Sequence, residues 1–333
     1  MIGQIAGRML SAEEIDALVV SGEAFGFALL PGESEPCGVL EAGRWLAPYA
    51  ERVTPSSVGR RSAVPRSPKT PNCADEKSRY IANVTRVIES CAARNGKTVF
   101  SREITGTVGD GVTPGRVFHM LSDRFPDTFR YIFNLPGEGV WIGATPEILL
   151  DVDLTDGNFS TMALAGTRRA PSDPTPWDEK NIREHRYVSD FIADALRGAG
   201  VSFSESEVQS LPYGDIEHLC RYFRGNLGDV PYSAVLDLLN PTPALCGTPK
   251  EAAIADIGRF EPHDREFYGG FIAVKTPKRF AAYANLRCLK ISGNRYSVYA
   301  GGGITPLSDP YAEYLETEAK AAPRLALLRL NLS

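Results

Sequence analysis

The sequence predicts an α+β protein with large antiparallel β-sheets. Its strand-like segments are short, β-branched or aromatic, and they come in hairpin-like sets bounded by turn residues. The segments with helical periodicity do not alternate one by one with these strands. Because a doubly wound parallel sheet requires that strict alternation, the pattern favours antiparallel sheets.

The first long helix is predicted in ADEKSRYIANVTRVIESCAARNG, residues 74–96. Its apolar residues follow a helical period: Tyr80, Val84, Val87, Ile88 and Cys91. The pair Asn95-Gly96 ends this helix. Residues 176–200 have helical character again. A last helix is predicted to start at Asp309, which suits an N-cap, with Pro310 at the first helical position.

The predicted strands lie between these helices. KTVFSREI, TFRYIFNL and GVWIGA follow the first helix, and LPGEGV between the last two predicts a hairpin turn. FYGGFIAV, RFAAYANLRCLKI and RYSVYAGGG are strand-like segments nearer the C-terminus. By spacing alone, LAGTRR and NPTPALCGTPKEAA are turn-forming segments.

We expect one large domain over residues 1–333. The stretch TPSSVGRRSAVPRSPKTPN is rich in Ser, Pro and Arg, so residues 54–75 are predicted to be an exposed loop. It separates a short N-terminal part, residues 1–53, from the main core, residues 76–333.

Composition excludes several classes of protein. The 333 residues carry a net charge of −5, which argues against a nucleic-acid partner. No apolar run approaches the length of a membrane helix, and the first residues do not resemble a secretory signal. The six cysteines are widely spaced without a CxxC pair, so we expect reduced thiols in a cytoplasmic protein.

Acidic residues near three glycines are the first candidates for chemistry. Glu313 and Glu316 share one face of the last helix, just after Gly301–Gly303. An isolated pair of this kind would more often be a solvated face, with Lys320 four residues after Glu316. Consecutive glycines, however, allow backbone N–H groups to approach an anion. Glu184, together with Glu316, has the donor chemistry for Mg²⁺.

Eight segments in order resemble the chorismate-binding enzyme family. They are GKTVFSR, GATPEILL, LAGTRR, REH, NPTPALCGTP, DREFYGGF, NLRCLK and YAGGGITPLSDPYAEYLETEAK. The resemblance spans Gly96 to Lys320 and is poor before about residue 75. It implies the fold of the anthranilate and isochorismate synthases, in which large antiparallel sheets pack together with helices outside.

Within the family the chain most resembles the isochorismate synthases. Lys97 matches the lysine that activates water there, and ammonia-using anthranilate synthases typically lack it. Ala165 stands where aminodeoxychorismate synthases usually carry a nucleophilic lysine. The TPALCGTP loop also resembles isochorismate synthases more than salicylate synthases. Two positions depart from the family: Asn240 replaces a usual His, and Asn181 replaces an acidic residue, which predicts a metal shell with fewer carboxylates.

The resemblance implies conversion of chorismate to isochorismate, for menaquinone or siderophore biosynthesis. Water attacks C2 while the C4 hydroxyl leaves, with Lys97 as base and Glu147 as acid. An ordinary Lys has a pKa of about 10.4 and an ordinary Glu about 4.3, so both groups need shifted values, and burial shifts each in the required direction. Mg²⁺ is implied on Glu184, Glu313 and Glu316. The implied substrate-binding residues are Gly166, Thr167, His218, Ala244, Leu245, Tyr268, Arg287, Gly301, Gly303 and Lys320.

Three alternatives remain open at this point. A salicylate synthase would go on to expel pyruvate from isochorismate. An ammonia-using anthranilate or aminodeoxychorismate synthase component would need a glutaminase partner, against which Lys97 argues. A non-catalytic chorismate-binding or interaction protein is left open by Asn181, Asn240 and the short N-terminal part. The retained residues Lys97, Glu147, Glu184 and Glu316 argue against it. We expect a monomer that binds chorismate, with neither a membrane nor an obligate glutaminase partner.

Overall fold

Two antiparallel β-sheets form the framework, as the sequence predicted. The computed structural model describes residues 8–54, 73–170 and 175–330. The strands are β1 (Phe25–Leu29), β2 (Val39–Gly43), β3 (Lys97–Thr107), β4 (Phe129–Leu135), β5 (Gly139–Thr145), β6 (Ile148–Asp153), β7 (Asn158–Arg169), β8 (Ser202–Glu205), β9 (Gln209–Tyr213), β10 (Ile216–Asn226), β11 (Gly247–Thr248), β12 (Phe271–Lys275), β13 (Arg279–Ala284), β14 (Cys288–Ser292) and β15 (Arg295–Ile304). The first sheet has the strand order β1-β4-β5-β14-β15-β3-β11, and the second has β2-β12-β13-β6-β7-β10-β8, with β9 paired to β10.

Helices cover the outer faces of both sheets. They are α1 (Ala12–Ser21), α2 (Cys73–Arg94), α3 (Pro114–Arg124), α4 (Glu179–Gly198), α5 (Tyr232–Leu239), α6 (Lys250–Phe260) and α7 (Pro310–Leu328). Side chains of α1, α3 and α7 share one apolar core with the first sheet, and those of α4 and α5 share another with the second. In the described part of the chain, none of the helices is both long and apolar enough to cross a membrane.

Aromatic side chains fill the space between the sheets. Alternate residues of a strand point to opposite faces, so Tyr131 and Phe133 of β4 face the second sheet whereas Ile132 faces the helices. Trp141 of β5 is fully buried there and stacks on Tyr299 of β15 at 5.5 Å between ring centroids. This inter-sheet layer also contains Ile272, Ala281 and Tyr283 of the second sheet, so it joins the two sheets.

The best-predicted elements are those set by local signals. Helices α2, α4 and α7 lie where the sequence placed them, and the Asp309 carboxylate caps α7 by accepting a hydrogen bond from the Ala312 N–H at 2.7 Å. The predicted hairpin joins β4 to β5. Of the predicted 54–75 loop, residues 55–72 lie outside the described residues, and the final residues begin α2.

Three predictions of local structure were wrong in detail. FYGGFIAV is strand only from Phe271, because Gly269 adopts a φ of +78° and the chain turns there. RFAAYANLRCLKI forms two strands in different sheets, and the buried Asn285 marks the crossing by donating to the Phe267 carbonyl at 2.9 Å. LAGTRR is the end of β7 and not a turn, with a bulge at Gly166.

The inter-sheet layer predicts a large effect of truncating Trp141. We expect Trp141→Ala to lower the free energy of unfolding by about 3–5 kcal/mol, since it leaves a cavity among rings that cannot collapse together. Urea unfolding followed by circular dichroism measures this change. Val20→Ala is the control because Val20 is 87% exposed, and it should change stability by less than about 0.5 kcal/mol. Equal effects of the two substitutions would contradict this packing.

Candidate active site

A cavity lies where β7, β10 and β15 meet the second turn of α4 and the middle of α7. The structure brings almost all of the predicted site residues to it. Those that line the cavity are Glu147, Gly166, Thr167, Glu184, His218, Ala244, Tyr268, Arg287, Gly301, Gly303 and Lys320. Lys97 contacts one of the lining carboxylates, and Glu313 and Glu316 lie beside Gly302.

Lys97 is fully buried at the start of β3 and forms an ion pair with Glu184 of α4, with 3.1 Å between Nζ and Oε1. Burial lowers the pKa of Lys97, and the Glu184 carboxylate opposes this only in part. Burial alone would raise the pKa of Glu184, but the positive charges of Lys97, Lys180 and Lys320 outweigh this effect and lower it to about 2. Lys97 is therefore a buried amine next to a carboxylate that stays ionised at neutral pH.

The neighbouring backbone permits this close approach because it carries no side chain. A Cβ atom on Gly303 would lie 2.0 Å from Glu184 Oε1 and 2.7 Å from Lys97 Cε. A Cβ on Gly302 would lie 2.7 Å from Glu313 Oε2. The three glycines at the end of β15 thus allow the charged side chains to approach the strand itself.

Glu147 follows β5 and is 3% exposed. Burial raises its pKa to about 8, and the positive charges of Lys97, Arg287 and Lys320 reduce that shift without cancelling it. The carboxyl group is therefore protonated at neutral pH. An acid that keeps its proton near pH 7 is suited to giving that proton to a leaving group.

The bulge at Gly166 shapes the cavity wall. Gly166 has a φ of +79° and is the extra residue between the pairs His218–Thr167 and Leu219–Ala165. Asn181 Oδ1 accepts a hydrogen bond from the Thr167 N–H at 2.9 Å, and its Nδ2 donates to Asp178 at 2.7 Å. The amide of Asn181 therefore fixes the bulge to α4, a role that the sequence did not predict.

His218 connects this bulge to Arg287. The Arg287 guanidinium donates to His218 Nε2 at 3.0 Å, so the ring carries its proton on Nδ1, which donates to the Gly166 carbonyl at 3.1 Å. Burial, and then the charge of Arg287, lowers the pKa of His218 well below its ordinary value. His218 is therefore a neutral ring that orients Arg287, while Tyr268 lies over Gly301.

One predicted contact residue lies behind the cavity wall. Leu245 is fully buried, and its carbonyl accepts a hydrogen bond from Arg265 at 2.9 Å. Arg265 also donates to the Val99 carbonyl and is paired with Glu261, so it braces the wall from outside. Asn240 donates to the Ala47 carbonyl at 3.5 Å and lies outside the cavity lining.

The three predicted metal ligands converge on the ammonium group of Lys180, which sequence reasoning missed. Its Nζ lies 3.0 Å from Glu313, 3.4 Å from Glu184 and 3.8 Å from Glu316. Burial and the Glu316 charge raise the pKa of Glu313 to about 7, although Lys180 opposes the shift. The signal was available, since Lys180 precedes Glu184 by four residues and so shares its helix face.

The donor set fits Mg²⁺ in its chemistry. Carboxylate oxygens are the ligands that this ion prefers, and the buried Glu313 Oε2 has no hydrogen-bond partner within the described residues. As they stand, however, no three acidic, His or Cys side chains in the described ranges are close enough to hold one ion. To hold the ion, the carboxylates would have to move closer together, and the Lys180 ammonium group lies among them.

Comparison with known proteins identifies relatives of this chain. The family model described as "Chorismate binding enzyme" matches residues 54–329. The isochorismate synthase EntC of Escherichia coli K12 is 32% identical over 250 residues, which cover 71% of this chain and 63% of EntC. MenF of Haemophilus influenzae, also named an isochorismate synthase, is 30% identical over 208 residues, or 60% of this chain and 48% of MenF. The chain thus spans less than two thirds of either relative.

Solved structures share the fold. A putative 2,3-dihydroxybenzoate-specific isochorismate synthase, DhbC of Bacillus anthracis, aligns with a TM-score of 0.76 at 23% identity, covering 92% of this chain and 96% of DhbC. Anthranilate synthase component I of Streptococcus pneumoniae aligns with a TM-score of 0.62 at 24% identity, covering 74% of this chain and 57% of that one. At these identities the likeness establishes the fold alone.

The glycine contacts predict a stability difference between two Gly→Ala substitutions. Gly303→Ala should lower the free energy of unfolding by about 1–3 kcal/mol, because its methyl group overlaps Glu184 and Lys97. Gly258→Ala is the matched control, since Gly258 lies within α6 and an added Cβ has no neighbour within 4 Å. It should raise stability by about 0.5–1 kcal/mol. Chemical denaturation of both variants measures the difference, and a neutral Gly303→Ala would contradict the geometry.

The raised pKa of Glu147 predicts a pH-dependent stability difference. Its contribution to stability is complete below the ordinary glutamate pKa of about 4.3 and is lost as the pH rises through about 8, because only the folded chain holds the proton that tightly. Gln has no such proton. Glu147→Gln should therefore raise the melting temperature relative to the wild type much more near pH 9 than near pH 5. Exposed Glu207 is the control, and Glu207→Gln should show no such trend; a flat difference for Glu147→Gln would contradict the shift.

Proposed function

Because this chain belongs to the chorismate-binding enzyme family, we propose that it is an isochorismate synthase. The observation that carries the proposal is the pair Lys97 and Glu147, two buried groups at one cavity whose pKa values are shifted in opposite directions toward neutrality. Such a pair supplies a base and an acid at the same pH. The named relatives EntC and MenF support the same choice within the family.

The proposed reaction transfers no group to the enzyme. Lys97 in its neutral form takes a proton from water as the oxygen forms a bond to C2 of chorismate. The ring double bonds shift, the C4–O bond breaks, and Glu147 gives its proton to the departing hydroxide, so one water is consumed and one is released. Lys97 then loses the proton it gained to solvent, and Glu147 takes one up from solvent, before the next turnover. Glu184, 3.1 Å from Lys97, stabilises the ammonium group that forms.

Substrate binding would use the cationic and backbone groups of the cavity. The Arg287 guanidinium, oriented by His218, is suited to binding a carboxylate through two hydrogen bonds. Tyr268 and the backbone near Gly301 and Gly303 lie at the same cavity. Glu184, Glu313 and Glu316 would hold Mg²⁺, which when bound would neutralise the second carboxylate of the substrate.

Two features argue against the alternative reactions. Lys97 is fully buried beside the cavity and would activate water there, so the proposed reaction requires no ammonia from a glutaminase partner. Ala165 is buried in β7 and offers no amine nucleophile of the aminodeoxychorismate synthase type. We extend the proposal to a cytoplasmic monomer whose product enters menaquinone or siderophore biosynthesis, the two routes that the resemblance implied.

The proposal is tested by incubating the purified chain with chorismate and Mg²⁺. We expect isochorismate by liquid chromatography and no stoichiometric pyruvate in a coupled assay; stoichiometric pyruvate would instead identify a salicylate synthase. Lys97→Ala and Glu147→Gln should each lower kcat by about 10²- to 10⁴-fold, whereas Glu207→Gln should not.

The same assay tests the acid and the metal. The rate of the wild type should fall above about pH 8, as Glu147 loses its proton. EDTA should abolish turnover, and added Mg²⁺ should restore it. Unchanged rates in both variants would refute the acid and base assignment, and full activity in EDTA would refute the metal assignment.

A further inference from the structure

The Lys180 side chain occupies the point at which three glutamates meet. Its Nζ contacts carboxylate oxygens of Glu184 on α4 and of Glu313 and Glu316 on α7, at 3.4, 3.0 and 3.8 Å. The ammonium group therefore joins the two helices at the cavity. An ordinary surface ion pair joins one ammonium group to one carboxylate, whereas Lys180 contacts three. The cluster is also largely buried, since Glu313 is only 3% exposed.

A divalent ion and this ammonium group exclude each other. Mg²⁺ binds oxygen at about 2.0–2.1 Å, so an ion shared by these carboxylates would lie within the space that Nζ now fills. Two cations in a partly buried cluster also repel each other strongly. Either Lys180 or the metal can be at the centre of the three glutamates, but not both.

Charge balance strengthens this exclusion. Each of the three glutamates already has a lysine partner, because Lys97 pairs with Glu184 at 3.1 Å, Lys320 pairs with Glu316 at 2.5 Å and Lys180 pairs with Glu313 at 3.0 Å. With Lys180 in place, each of the three carboxylates therefore faces a lysine side chain. A divalent ion added to this cluster would give it an excess of positive charge, which favours the departure of one lysine.

Lys180 is the lysine best placed to leave. Lys97 is fully buried, and Lys320 is also held by the Gly301 carbonyl at 2.9 Å. The Lys180 side chain, in contrast, is 18% exposed and extends from the first turn of α4. A rotation about its flexible four-carbon chain can carry the ammonium group outward to water.

Resting on the proposed function, we infer that Lys180 is an internal counter-ion that takes the place of the divalent ion among Glu184, Glu313 and Glu316, so that metal binding is a cation exchange in which Lys180 leaves the cluster. Lys180 keeps the three carboxylates gathered without a metal. In return it lowers the affinity for the metal, because its own ion pairs must break first. It is a positioning residue and takes no part in the proton transfers.

The direct test is the affinity for Mn²⁺ in the absence of substrate. Mn²⁺ prefers the same oxygen ligands as Mg²⁺, and electron paramagnetic resonance counts the unbound ion. We expect Lys180→Met in the full chain to bind Mn²⁺ at least tenfold more tightly than the wild type. Lys278→Met, which removes the same charge at an exposed turn, should stay within twofold of it. Equal or weaker binding by Lys180→Met would overturn the inference.

A second variant tests whether misfolding of Lys180→Met explains its behaviour. Lys180→Gln keeps a polar side chain at this position and should also bind Mn²⁺ at least tenfold more tightly. In both variants, Mn²⁺ should raise the melting temperature more than it does in the wild type, because a ligand stabilises the folded state in proportion to its affinity. An equal rise in all three proteins would overturn the exchange.

The outcomes separate this inference from the proposed function. If the wild type forms isochorismate with Mg²⁺ but Lys180→Met and Lys180→Gln bind Mn²⁺ no more tightly, the counter-ion role fails alone. If the variants bind Mn²⁺ more tightly but the wild type forms no isochorismate, the exchange stands and the proposed function fails.

Discussion

The burial of ionisable groups between the ends of two sheets is the constraint on which the rest of the site depends. Lys97 and Glu147 are 0% and 3% exposed, and burial is the largest cause of both pKa shifts. A polar group out of water needs partners at close range. The fold supplies them through glycines: Gly303 allows the Lys97–Glu184 pair to approach β15, and the bulge at Gly166 directs its carbonyl to His218.

The charges at the cavity, and not the net charge of the chain, determine whether this acidic protein can bind an anion. The chain has a net charge of −5, yet Arg287, Lys97 and Lys320 all lie at or beside the cavity. The glutamates there are matched by lysines, so the cavity does not repel an anion as the overall charge suggests. Neutral His218 keeps the Arg287 guanidinium oriented without adding a second positive charge.

Local signals in the sequence predicted the helices, the β4–β5 hairpin and the cap at Asp309 well, because each depends on neighbouring residues. The eight family segments predicted most of the residues that lie together at the cavity. Features that depend on distant contacts were missed. The chain crosses between sheets at Asn285 because its amide binds Phe267 and Tyr131. Leu245 is not among the residues that line the cavity, and its carbonyl accepts a hydrogen bond from Arg265. No spacing rule reveals which way a loop residue points.

The central claim is that burial keeps Glu147 protonated at neutral pH. The most direct measurement is the titration of this one carboxyl group, by carbon-13 NMR of protein labelled at glutamate side chains, with Glu147→Gln used to assign the signal. The account predicts that the Glu147 signal titrates near pH 8. Titration near the ordinary glutamate pKa of about 4.3 would contradict it.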